Sequence, residues 1–259
     1  MSGLILVERD GPIATVVLNR PEKLNALTKA MWEALGATID ALSADDTVRC
    51  IVVRGAGEKA FSPGNDIGEF ATDRGNKAQA IEYGRIMHAT ARSLASCRHP
   101  LVAQIHGVCV GGGLEIAALC DLRICGESSR FGAPIKNLGL VMAYPEMAPL
   151  VRLAGADVAL EILLEGRIFG AAEAKEKRLV TRVVPDAEVA AESLATAQRI
   201  ADGAPLVARW HKKFARRLAD PRPITVLEHD ECFDCFDTED FRLGYAAFLA
   251  KHKPDFVGR

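Results

Sequence analysis

Three short runs rich in apolar residues, Cys50–Val53, Leu101–Ile105 and Leu122–Cys125, are separated by stretches of helical character. Strands joined in this way must run parallel through crossover connections, so the first half of the chain reads as α/β. Ahead of them, Leu4–Val7 and Ile13–Leu18 flank Asp10-Gly11-Pro12 and predict a hairpin. Asn19–Asn25 is a polar loop containing a proline. Thr28 then caps a helix with apolar positions Met31, Trp32, Leu35, Ile39 and Leu42. Gly55-Ala-Gly57 ends the next strand, Phe61–Gly68 reads as a loop, and Lys77–Ser96 as a helix. Beyond Cys125 the chain is mostly helical: Pro145–Leu153, Asp157–Leu164, Ala171–Lys177, Asp186–Asp202, Pro205–Leu218, Pro223–Phe236 and Thr238–His252. Only Val180–Val183 reads there as strand. A helix-rich tail of this kind serves assembly or lid formation, and with no clear linker one folded unit is expected.

The chemistry concentrates at Val108–Leu119, where every residue is apolar or glycine except Glu115. Gly111-Gly112-Gly113 leaves backbone N–H groups uncovered where a helix begins, and such donors stabilise developing negative charge. A carboxyl group in apolar surroundings is a candidate proton carrier, because desolvation raises its pKa. A second glycine-containing turn, Phe61–Asp66, follows the strand Cys50–Val53. In a parallel sheet both turns emerge at one edge, where ligands bind. Asn65 suits a tight turn because Asn tolerates left-handed backbone. Two donors around one carbonyl oxygen would form an oxyanion hole, and losing one costs roughly 2.7–4 kcal/mol of transition-state stabilisation. Two plainer readings stand beside this one: glycine triplets also serve close packing, and Glu115 also suits a first turn through the helix dipole.

Other chemistries lack their motifs. No Gly-Lys-Ser/Thr follows the glycines, G-x-G-x-x-G is absent there, and neither H-E-x-x-H nor G-x-S-x-G occurs. A net charge of -2 gives no global attraction to nucleic acid or anionic membranes. No apolar run approaches the roughly 18 residues of a membrane span, and Met1–Asp10 lacks the layout of a signal peptide. The expected compartment is the cytoplasm. Seven cysteines, several in apolar segments, fit reduced buried thiols. Cys232 and Cys235 form a lone C-x-x-C on what reads as helix surface, with no second pair at zinc spacing, so no metal site is expected.

Several segments together carry a family likeness. They include Asn19-Arg-Pro-Glu-Lys-Leu-Asn-Ala-Leu27, Phe61-Ser-Pro-Gly-Asn-Asp-Ile-Gly-Glu-Phe70, and Pro100 through Glu115. Cys120-Asp-Leu-Arg123, Phe131-Gly132, Ala171–Val184 and Ala247–Phe256 complete the set. In this order, over nearly the whole chain, they resemble the crotonase superfamily, the enoyl-CoA hydratase/isomerase family. The resemblance implies a spiral of ββα units over residues 1–195 and a helical C-terminal trimerisation region over residues 196–259, assembled as homotrimers or hexamers. It implies an acyl-CoA thioester substrate, with coenzyme A entering only as part of it and no separate cofactor. The N–H groups of Asn65 and Gly112 would polarise the thioester carbonyl, with Glu115 as the acid/base. Lys23, Leu24, Ser62, Pro63, Asn65, Asp66 and Ile67 match segments that line coenzyme A. By the same likeness Phe248 and Lys251 approach it from a neighbouring subunit.

One position departs from the pattern. Hydratases of the family carry a second glutamate shortly after the Phe-Gly of the next strand, and here that position is Ile135. With one carboxylate missing, ordinary hydration of a 2-enoyl-CoA is expected to be impaired. Candidate replacements are Glu146, which also reads as a helix-start acid after Pro145, Tyr144, and His88, which also reads as an ordinary helix residue. The spacing of His88 from Pro100 is similar to that in an aryl-CoA dehalogenase relative, but that enzyme's partner aspartate falls at Ala143. Asn137-Leu-Gly139 is similar to the family's decarboxylases, whose tyrosine falls at Met142. A decarboxylase, a hydrolase and a CoA-binding protein without turnover are therefore the alternatives.

Overall fold

The computed structural model describes residues 3–259, so Met1 and Ser2 of the N-terminal run lie outside it. A hairpin of β1 (Ile5–Asp10) and β2 (Ile13–Leu18) leads to α1 (Lys29–Ala44), whose N-cap Thr28 accepts from the Met31 N–H. Three strand pairs then alternate with helices. The first is β3 (Cys50–Gly55) with β4 (Ala60–Ser62), followed by α2 (Phe70–Asp73) and α3 (Lys77–Ser96). The second is β5 (Leu101–Ile105) with β6 (Val108–Val110), followed by α4 (Gly112–Leu119). The third is β7 (Leu122–Gly126) with β8 (Arg130–Gly132), followed by α5 (Tyr144–Ala154) and α6 (Ala156–Glu165). Next come β9 (Phe169–Gly170), α7 (Ala171–Glu176), β10 (Arg182–Val184) and α8 (Val189–Ala201). The helices α9 (Pro205–Arg217), α10 (Val226–Asp230) and α11 (Glu239–Ala250) close the chain.

The members of each pair enter different sheets. A six-stranded sheet runs β1-β2-β3-β5-β7-β10, parallel except for the β1–β2 hairpin. A four-stranded sheet runs β4-β6-β8-β9, parallel except for β9. Each ββα unit therefore climbs from the large sheet to the small one before its helix closes the turn, which makes a spiral.

This path moves the two glycine turns. They leave β4 and β6, neighbours in the small sheet with Ser62 opposite Cys109, and not Cys50–Val53 and Leu101–Ile105. The expectation that both open at one edge stands, but the sheet is the other one. Strands three residues long are too short to show a period in sequence.

The central strands are apolar because both faces are covered. Ile51, Val53 and Ala103 face the main core with Trp32, Phe61 and Phe131, while Cys50, Val52 and Val102 face Ala197 and Ala201 of α8. The expected boundary at residue 195/196 thus falls inside α8, a helix that covers the large sheet. The C-terminal helices are also tied to the core through charge: Lys212 of α9, buried, reaches Asp121 at 2.6 Å and the His99 carbonyl at 2.5 Å. The expected helix Pro223–Phe236 is broken into α10 and a 3-10 segment, Glu231–Asp237, on which Cys232 is exposed.

Candidate active site

The turns after β4 and β6 touch. Gly64 has φ +96°, and a Cβ on it would stand 2.7 Å from the Gly112 nitrogen, so this approach needs glycine for both shape and space. The left-handed conformation expected of Asn65 falls one residue earlier, on Gly64. What Asn65 contributes is its side chain, whose Oδ1 accepts from the indole N–H of Trp32 at 2.7 Å. The turn is pinned on both sides of Asn65: Leu27 N–H donates to the Gly64 carbonyl and Asp66 N–H to the Leu27 carbonyl, each at 2.8 Å. Among the described residues, neither the Asn65 N–H nor the Gly112 N–H has a protein acceptor.

Both residues line a cavity of about 440 Å³, together with Glu115, Ile135, Glu146 and the apolar side chains Phe70, Met87, Leu140 and Met142. Glu115 lies in the first turn of α4 and is 2% exposed. Its Oε1 has no hydrogen-bond partner, and burial followed by the charge of Glu146 raises its pKa well above the ordinary carboxyl value. An unpartnered carboxyl group held near its neutral form in a cavity is equipped to exchange protons.

Glu146 closes the start of α5 and also lines the cavity. Its Oε2 accepts from the Ala143 N–H at 3.2 Å, closing the start of α5. Its Oε1 lies 3.2 Å from Nε2 of His88 on α3, and the side chain is 15% exposed at the cavity. His88 stands behind Glu146 and is not itself part of the cavity wall. Tyr144 is 92% exposed and outside the cavity. Two residues on from Tyr144 the helix has turned by about 200°, which is why one neighbour faces solvent and the other the cavity.

The model of the enoyl-CoA hydratase/isomerase family matches residues 8–259. The chain belongs to this family. It is 35% identical to a protein named "Probable enoyl-CoA hydratase" from Rhizobium meliloti, over 98% of each chain. It is 31% identical to the short-chain-enoyl-CoA hydratase of Clostridium acetobutylicum, over 96% of this chain and 95% of that one. A crystal structure of an enoyl-CoA hydratase/carnithine racemase from Magnetospirillum magneticum superposes with a TM-score of 0.98 at 50% identity, covering 100% of this chain and 97% of the other. The spiral is thus the crotonase fold, and the chain is an enzyme of the hydratase/isomerase family.

The residues matched to the family's CoA segments divide into two groups. Pro63, Asn65, Asp66 and Ile67 line the cavity. Asp66 is held by Arg20 at 2.6 Å and accepts from the Gly68 N–H at 2.8 Å, which keeps its carboxyl below the ordinary value. Ser62 is fully buried, and its hydroxyl bridges the Asn25 carbonyl and the Gly64 N–H, so it shapes the turn from beneath. Lys23 and Leu24 sit on the 3-10 loop Pro21–Lys23 and its left-handed cap, beside the cavity but outside its wall. Phe248 is 81% exposed on α11, and neither it nor Lys251 reaches this cavity within one chain. Arg74 and Met87 also line the cavity, the Arg74 guanidinium stacking over Phe70 and Tyr83 at 4.8 and 4.9 Å. Sequence reasoning missed the roles of Trp32 and Ser62, which read there as a core position and a ligand contact.

Proposed function

We propose that this enzyme binds an acyl-CoA thioester and stabilises its enolate. The N–H groups of Asn65 and Gly112 hold the thioester oxygen, and Glu115 moves a proton at the adjacent carbon. The observation that carries this reading is the convergence on one cavity of two N–H groups without protein acceptors and one buried carboxyl group without a partner. A thioester oxygen gains negative charge as its enolate forms, and donors fixed beforehand favour that charge at no cost in reorganisation. The coenzyme A portion would run past Lys23, Leu24 and Pro63–Ile67, and no cofactor beyond it is required.

The tyrosine of the family's decarboxylases falls at Met142. That residue is buried and Tyr144 points to solvent, so proton transfer at carbon is favoured over decarboxylation. Phe236, Phe241 and Tyr245 pack on one another as an exposed aromatic cluster at α11, which supports assembly of the chain as a homotrimer or hexamer, because exposed apolar clusters mark association surfaces. Phe248 and Lys251 would then approach a neighbour's coenzyme A. Among the described residues no helix is long and apolar enough to cross a membrane, and the proposed site of action is the cytoplasm.

The test is isotope-edited infrared spectroscopy of an acyl-CoA labelled at the thioester carbonyl. Its stretch should move to lower frequency on binding, and Gly64→Ala should reduce the shift. An unshifted carbonyl in the bound complex would rule out the proposed oxygen contacts.

A further inference from the structure

We propose that Glu146 supplies the second carboxylate of a hydration site, displaced from position 135 to the first turn of α5, with His88 as its positioning residue. This rests on the reading of the cavity as an enolate-stabilising acyl-CoA site and adds the reaction that the site performs.

At the expected position, Ile135 lines the cavity with hydrocarbon and packs on the core. Glu146 enters the same cavity from another element, close enough for its charge to act on Glu115. A residue needed only to close α5 would use one oxygen on the Ala143 N–H. Here the other oxygen is held too, by the His88 ring 58 residues away in the chain. Each oxygen keeps a further lone pair for a water molecule. The other charged side chains of the wall are engaged elsewhere: Asp66 with Arg20, and Arg74 over its two aromatic rings. Glu115 and Glu146 are therefore the two carboxyl groups free to work on a substrate.

The roles follow from the environments. Burial favours the protonated form of Glu115. Glu146, facing a backbone N–H and an imidazole, is the acceptor. In the hydration step a water oxygen bonds to Cβ of a 2-enoyl-CoA while its proton passes to Glu146. The double-bond electrons move toward the thioester oxygen, which the Asn65 and Gly112 N–H groups hold. Glu115 then gives its proton to Cα, and the enolate returns to the thioester. One water has been added, Glu146 holds the proton that Glu115 lost, and transfer between the two carboxyl groups resets the site.

The experiment measures hydration of crotonyl-CoA and longer 2-enoyl-CoA homologues alongside deuterium exchange at Cα of a saturated acyl-CoA. Glu146→Gln should lower the hydration kcat by about 10²–10⁴-fold with little change in KM, the span of one acid/base group. Exchange needs Glu115 and the oxygen contacts but not Glu146, so it should fall far less. Adding Ile135→Glu to Glu146→Gln should recover part of the hydration rate. His88→Ala should lower kcat by roughly 10-fold, and His88→Gln, which keeps a donor toward Oε1, should restore much of it. Hydration by Glu146→Gln within about 3-fold of the unaltered enzyme would overturn the proposal. So would failure of the unaltered enzyme to hydrate any of these substrates while it still exchanges Cα. Loss of both activities in Glu146→Gln that Ile135→Glu does not restore would assign Glu146 to structure alone, which also overturns it. If the unaltered enzyme exchanges nothing, the enolate reading itself fails.

Discussion

The indole N–H of Trp32 donates to Oδ1 of Asn65 at 2.7 Å, so a helix formed early in the chain fixes the Asn65 turn at the cavity. Trp32 is itself fully buried, and its carbonyl accepts from the Thr90 hydroxyl at 2.6 Å. Trp32→Phe removes that donor while keeping most of the apolar volume. Misplacing a catalytic contact by about 1 Å can cost on the order of 10²-fold in rate. Steady-state kinetics should therefore show kcat reduced by roughly 10- to 100-fold, with the fold retained by circular dichroism.

Gly64 joins the two turns. In Gly64→Ala a Cβ would press on the Gly112 nitrogen at 2.7 Å from a backbone with φ +96°. Either the turn opens or Gly112 moves, and at least one of the two donors is lost. Activity should fall by about 10²–10³-fold, the worth of one such donor. Retention of full kcat/KM would show that these N–H groups are not used.

Glu115 makes stability depend on pH in a direction opposite to that of most carboxyl groups. Burial raises its folded pKa, so between the unfolded value of about 4.3 and the folded value the folded chain binds more protons there than the unfolded chain. Its contribution to stability therefore falls as pH rises. Glu115→Gln cannot ionise and should melt at a higher temperature than the unaltered protein. The difference should grow in thermal scans as pH rises above the unfolded value of about 4.3.

His99 acts at the acid end. It is fully buried, with Nε2 3.1 Å from the Asp45 carbonyl. Burial, then Arg209 and Arg98, bring its pKa from 6.5 down to about 4. The unfolded chain binds the extra proton in this window, so stability is full above about pH 6.5 and is lost as pH falls toward about 4. Urea unfolding of His99→Gln should show a flatter midpoint over that window than the unaltered protein.

The long apolar strands and amphipathic helices were legible because their periods span enough residues to be counted. The strands β4, β6 and β8, each three residues long, carried no such signal, although they place both glycine turns. Glu115 stands out as the one acid in an apolar stretch, and Ile135 as the position at which the resemblance leads one to expect a glutamate. The approach of His88 to Glu146 was not legible, because it joins α3 to α5 through the fold and no spacing in the chain encodes it. Tyr144 is close to Glu146 in sequence, but the start of α5 turns the two in opposite directions in space.

Deuterium exchange at Cα of a saturated acyl-CoA, compared between the unaltered enzyme and Glu115→Gln, tests the central claim most directly. It requires enolate stabilisation and one proton carrier and nothing else. The unaltered enzyme should exchange Cα hydrogen, and Glu115→Gln should slow exchange by about 10²–10⁴-fold while still binding the ligand. Equal exchange rates in the two proteins would contradict the assignment of Glu115 as the proton carrier.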